Sequence, residues 1–229
     1  MSGVSVNGKD QGDGVNKYIR SPLVPPPPKA SNDPVRDLKS PNLVCNTGGG
    51  KAAPNFVKAA AGDTLAFRWA LVPGDPRNIV LDPSHKGAIL TYIAPYTESN
   101  GASAIWSKLA EQGFDGEWAT IKMIANGGDV EFTLPKTLAP GKYLIRQELL
   151  ALHQADFRGD DPKNPGRGAE AYPSCVQFEV TGSGAAVPDQ DFDFNQGYTY
   201  GDPGLFFNVH IPFDKYTPPG PPIWDATKA

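Results

Sequence analysis

The sequence predicts an all-β fold: an antiparallel sandwich of immunoglobulin-like or fibronectin-like type, with long loops and one or two short helices. Three observations predict it. Short apolar or alternating stretches recur at about ten-residue spacing. Turn formers stand between them, with 25 glycines and 24 prolines among 229 residues and no fixed period. Only one stretch carries helical spacing. Hydrophobic residues make up 39% of the chain, enough for a core, so the surplus of turn formers reads as loops rather than disorder. All-β sandwiches reach this length undivided, and a single domain over residues 1–229 is expected.

The elements follow in order. Gly3 to Gly8 alternates, with Val4 and Val6 on one face, and ends at the turn pair Asn7-Gly8. Residues 22–34 are proline-rich, with four consecutive prolines from Pro25 to Pro28. Such a tract cannot enter a sheet and is expected as a surface loop. Leu43-Val-Cys45, Phe56-Val57 and Thr64 to Trp69 read as short strands, with a tight turn at Ala61-Gly-Asp63. Ala88 to Ala94 is a continuous apolar run suited to a buried strand. Ala104 to Gln112 is the stretch read as helix, with Ile105, Trp106 and Leu109 on one side and Gly113 as its stop. Asp129 to Leu134 alternates with Val130, Phe132 and Leu134 inward; Tyr143 to Leu150 and Val176 to Val180 complete the strands. The tail, residues 185–229, has little periodicity and is expected to wrap the sheets as loop.

Charge excludes some classes. The formal net charge is −4, with signs interspersed and no basic stripe, which disfavours a nucleic-acid partner. No run of 18 apolar residues marks a membrane span, and Met1 to Asp13 lacks the apolar region of a signal peptide. Cys45 and Cys175 are the two cysteines. They are either a crosslink or two buried thiols, and the residues alone leave that open.

Chemistry-bearing residues are few. His85 stands in the loop Asp82-Pro-Ser-His-Lys-Gly87, just before a buried strand. His153 ends Arg146-Gln-Glu-Leu-Leu-Ala-Leu-His153 and precedes a polar loop. Tyr172 lies in Glu170-Ala-Tyr-Pro-Ser-Cys175. Taken singly, each histidine reads as a hydrogen-bonded structural residue and the tyrosine as a packed one. Paired carboxylates of a glycosidase are not evident near His85, and three histidines do not give dense zinc spacing.

Together the three segments resemble the fungal lytic polysaccharide monooxygenases of auxiliary activity family nine, formerly glycoside hydrolase family sixty-one. So do Val6-Asn-Gly-Lys-Asp-Gln-Gly12, Ser40-Pro-Asn-Leu-Val-Cys45, Leu138-Ala-Pro-Gly-Lys-Tyr-Leu144, Asp202-Pro-Gly204 and Tyr216-Thr-Pro-Pro-Gly-Pro-Pro222. The likeness runs in order along essentially the whole chain. It implies a sandwich with a flat face centred on one type-2 copper. In such proteins an N-terminal histidine binds copper through amine and ring, and His85 matches the second histidine, which supplies a further nitrogen. Tyr172 matches the axial tyrosine. His153 matches an outer-sphere histidine that tunes the centre without touching the metal. Cys45 and Cys175 match a core disulfide, which carries with it an extracellular location. The implied chemistry is copper-dependent hydroxylation at C1 or C4 of cellulose or a related β-1,4-glucan, fed by an external reductant and O2 or H2O2. The protein is expected to work as a monomer.

Three departures qualify these expectations. Counting back from Asn7-Gly8, the family's N-terminal histidine falls a few residues before Met1, so the chain is expected to be shortened at its start, and as it stands to hold copper poorly. Glu170 stands where the family usually has glutamine; it reads either as a solvated acid beside Arg167 or as a charge facing the copper. His210 falls where a substrate-stacking tyrosine is common. The alternative function is a non-catalytic, polysaccharide- or wall-binding sandwich of the same fold.

Overall fold

The computed structural model describes residues 1–20, 33–72, 77 and 79–227. In chain order its elements are β1 (Gly3–Val6), β2 (Lys9–Asp13), β3 (Ile19–Arg20), α1 (Asn42–Cys45), β4 (Val57–Ala60), β5 (Thr64–Arg68), β6 (Gly87–Pro95), β7 (Ser107–Gln112), α2 (Ala119–Ala125), β8 (Asp129–Thr133), β9 (Gly141–Ala151), β10 (Glu170–Thr181) and α3 (Phe194–Gly197). Two sheets form. The smaller runs β2-β1-β5-β8, and the larger runs β3-β10-β9-β6-β7 with β4 also on β10. Every pairing is antiparallel except β4 with β10, which is parallel.

The sandwich core lies between the sheets. Val4, Leu65 and Phe67 of the small sheet pack with Ile93, Ile145, Val176 and Phe178 of the large one. The large sheet is covered on its other face too. There Leu90, Tyr92, Leu144 and Leu150 meet α1 and tail residues Phe192, Phe194, Tyr198, Leu205 and Tyr216. Burial on both faces explains why β6 and β9 read as near-continuous apolar runs instead of alternating. These tail residues therefore cover the outer face of the large sheet.

The first hairpin turns at Asn7 and Gly8, both with positive φ, the backbone that matches the twist of the strands it joins. The Ala61-Gly-Asp63 turn also forms, closed by Asp63 N–H donating to Ala60 O at 3.0 Å. The proline-rich tract lies outside the described residues from 22 to 32.

Two expectations are corrected. Ala104 to Gln112 is not helical: Trp106 bridges Phe192, and β7 pairs with β6. The spacing of Ile105, Trp106 and Leu109 suited a helix, but an open edge beside β6 offered a full ladder of hydrogen bonds. Trp106 gains a buried slot with its indole N–H on Gly101 O. Leu43-Val-Cys45 is the one-turn helix α1, not a strand. A run of three apolar residues suits either, and here Pro41 opens the turn while Asn46 (φ 64°) closes it. Helix α2 and strand β2 went unread, the latter because its sequence, Lys-Asp-Gln-Gly-Asp, has no apolar face.

Candidate metal centre

Register builds the site. Gly87, at the start of β6, pairs with Ala151, at the end of β9, and Ala151 pairs on its other side with Glu170, the first residue of β10. The residue two before β6 and the residue two after β9 must therefore meet at the same sheet end as the first turns of β10. They do. The His85 and His153 rings lie 4.4 Å apart, and His85 to Tyr172 is 5.9 Å, centroid to centroid. His85 is held by its own turn: Asp82 accepts from the N–H groups of Ser84, through its side chain at 2.9 Å, and of His85, through its carbonyl at 3.0 Å. His153 follows a bond from Leu152 N–H to Lys86 O at 2.8 Å, which ties the two histidine segments together.

Tyr172 donates its hydroxyl to Glu170 Oε2 at 2.6 Å, and its oxygen lies 3.2 Å from His85 Nε2. His85 Nε2 is 3.5 Å from Glu170 Oε2, and His153 Nε2 is 3.7 Å from Glu170 Oε1. Glu170 is thus no solvated loop acid. It opens β10, its side chain is 4% exposed, and Arg36 pairs with it. Arg167, expected near it, pairs instead with Asp156 at 2.7 Å. His210 is exposed and its Nε2 donates to the carbonyl of His153 at 2.9 Å. The chain has three histidines, and all three meet here.

Electrostatics set protonation. Burial lowers the His153 pKa; Glu170 pulls the other way, while His85 and Arg36 lower it further. The imidazole is therefore neutral near pH 7, free to offer a lone pair or accept a proton. Burial, and then the hydrogen bond to Glu170, push the Tyr172 phenol far above the ordinary tyrosine range. It stays a neutral hydroxyl. A cavity of about 130 Å³, lined in part by Trp69, Leu81, Leu149 and Tyr172, opens beside His85.

The donor set fits a transition metal. His85, His153 and Glu170 each offer a ligand atom, all within 4.8 Å of one another. Imidazole and carboxylate suit divalent first-row ions. His153 Nδ1 is buried with no hydrogen-bond partner among the described residues, an orphan that a bound group or water would have to explain. Arg36 was not singled out from the sequence; its only signal would have been a cation 134 positions from an acid it had no local reason to meet.

A sandwich with a histidine, carboxylate and phenol cluster at one rim, able to hold a metal ion, defines a class of β-sandwich metalloprotein. The comparisons give the family. The model of Auxiliary Activity family 9 (formerly GH61) matches residues 1–216. The chain is 52% identical to an AA9 family lytic polysaccharide monooxygenase A of Collariella virescens, covering 99% of this chain and 81% of the relative. It is 38% identical to an AA9 family lytic polysaccharide monooxygenase B of Emericella nidulans, of which it spans 59%. The solved structure CvAA9A superposes with a TM-score of 0.90 at 51% identity, covering 99% of this chain and 97% of that one. A glycoside hydrolase family 61 member, Cel61B from Hypocrea jecorina, does so at 0.80 and 25%, covering 98% and 99%. The chain belongs to Auxiliary Activity family 9, the lytic polysaccharide monooxygenases, oxidoreductases that cleave polysaccharides. The family's members are secreted fungal copper enzymes that use a reductant and oxygen. Among the described residues, no helix is long and apolar enough to cross a membrane.

Proposed function

We propose that this protein is a secreted, monomeric copper monooxygenase that cleaves cellulose or a related β-1,4-glucan by hydroxylation at C1 or C4. One observation carries the reading: all three histidines, with Tyr172 and Glu170, converge at one end of the large sheet. His85 Nε2 would supply a nitrogen and the Tyr172 oxygen a neutral donor to such an ion. Copper, when bound, supplies one-electron redox chemistry with O2 or H2O2 and an external reductant.

The protein's own groups then position and protonate. His153, neutral and next to the ligand set, would hold a proton at Nε2 or take one there. Tyr172 keeps its hydroxyl proton, donated in a hydrogen bond to Glu170 Oε2, and turns its lone pairs toward His85. His210, exposed and pinned to the His153 carbonyl, presents a ring to the polymer close to these groups. The Cys45–Cys175 disulfide supports secretion.

Incubation with amorphous cellulose, ascorbate and copper tests this by mass spectrometry of soluble products. Oxidised oligosaccharides that vanish in His85→Ala are expected. Polymer binding with no oxidised product, in copper-loaded protein, would replace the enzyme reading with the non-catalytic binder.

A further inference from the structure

The buried Glu170 poses a problem that a glutamine there would not. A carboxylate, 4% exposed, stands 3.5 and 3.7 Å from two imidazole nitrogens proposed to serve a metal. An unpaired charge so buried is costly, and beside a metal it would bind the oxidised ion better than the reduced one.

We propose that Arg36 is a positioning residue for this centre: its guanidinium cancels the Glu170 charge, so that the acid presents the metal with the near-neutral surroundings a glutamine would give. The inference rests on the copper reading. Three observations carry it. Arg36 Nη2 pairs directly with Glu170 Oε1, while Oε2 takes the Tyr172 hydroxyl, so each oxygen has its own partner. The pairing is built into the backbone: Val35 N–H donates to Ala171 O at 2.8 Å and Ala171 N–H to Val35 O at 3.1 Å, which fixes residue 36 beside residue 170. And the Arg36 Nε is buried without a hydrogen-bond partner among the described residues, so the guanidinium meets Glu170 through Nη2. Neighbouring arginines do not compete, because Arg167 is paired with Asp156 and Arg158 with Asp160.

The consequence is a pair of opposite electrostatic effects on the metal that offset one another. Removing Arg36 exposes the negative charge to the metal and lowers its reduction potential. Removing the Glu170 charge leaves an unbalanced guanidinium and raises it. Removing both returns it close to the starting value. Arg36→Lys keeps the charge and holds the potential nearer the parent than Arg36→Met does.

The test is a double-mutant cycle of Arg36→Met, Glu170→Gln and the double variant, read as the copper potential and, without metal, as the thermal midpoint. Expected are opposite potential shifts in the two single variants, near-cancellation in the double, and midpoints that fall in the single variants and recover in part in the double. Copper binding with one potential across the cycle, or strictly additive midpoints, overturns the charge-cancelling role and leaves the monooxygenase reading standing. Failure of every form to bind copper overturns both.

Discussion

His153 shows how one residue is tuned by its neighbours. Burial keeps it neutral, its Nε2 faces Glu170, and its backbone carbonyl is held by His210. A group beside the metal rather than on it should affect rate more than affinity. His153→Ala is expected to cut oxidised product by about 10–100-fold while copper still binds, the usual scale for outer-shell partners; isothermal titration alongside product analysis checks the split. A total loss of copper would make His153 a ligand instead. At this scale the sequence was partly legible. His85, His153 and Tyr172 stood out because local motifs carry them. The burial of Glu170 and its pairing with Arg36 did not, because an ion pair across 134 positions leaves no trace in either neighbourhood.

The elements that matter are the ends of three adjacent strands. β6 begins, β9 ends and β10 begins at one edge, so one register error would part the histidines. Gly87 guards that register. A Cβ there would lie 1.8 Å from Leu150 O, backbone of the strand beside it. Gly87→Ala should lower unfolding free energy by about 1–3 kcal/mol and weaken copper binding through the displaced His85. Denaturant titration measures the first effect, and unchanged stability would show that the strand yields freely. Strand signals were legible where burial imposes a pattern, as in β6, β8 and β9. They failed where tertiary context decided, as at Trp106, whose neighbours suit helix and edge strand alike, and at the brief run Leu43 to Cys45.

Over the whole molecule, the large sheet is sealed on both faces, and the disulfide joins α1 to β10 across 130 residues. Replacing both cysteines by alanine should cost about 4–5 kcal/mol in the chain-entropy model. That corresponds to a fall in thermal midpoint on the order of 10–15 °C, measurable by calorimetry. A change of a degree or two would show that packing alone holds α1. The cover over the sheet also gives a pH dependence. Burial first, then the Glu148 charge, push the Tyr92 and Tyr198 phenols well above the ordinary range, and burial does the same to Tyr216. A raised folded pKa gives stability that is complete below the unfolded value near 10 and lost as pH rises beyond it. Thermal midpoints should therefore hold to about pH 9 and drop above 10. Absorbance at 295 nm should show these phenols ionising only as the protein unfolds.

The claim on which these expectations turn is that His85 helps to seat a single copper ion at this rim. Cu(II) titration with electron paramagnetic resonance, on the protein and on His85→Ala, tests it directly. One equivalent bound with an axial, nitrogen-coupled signal that His85→Ala weakens or abolishes is the predicted result. An identical spectrum and affinity without the His85 ring would contradict it.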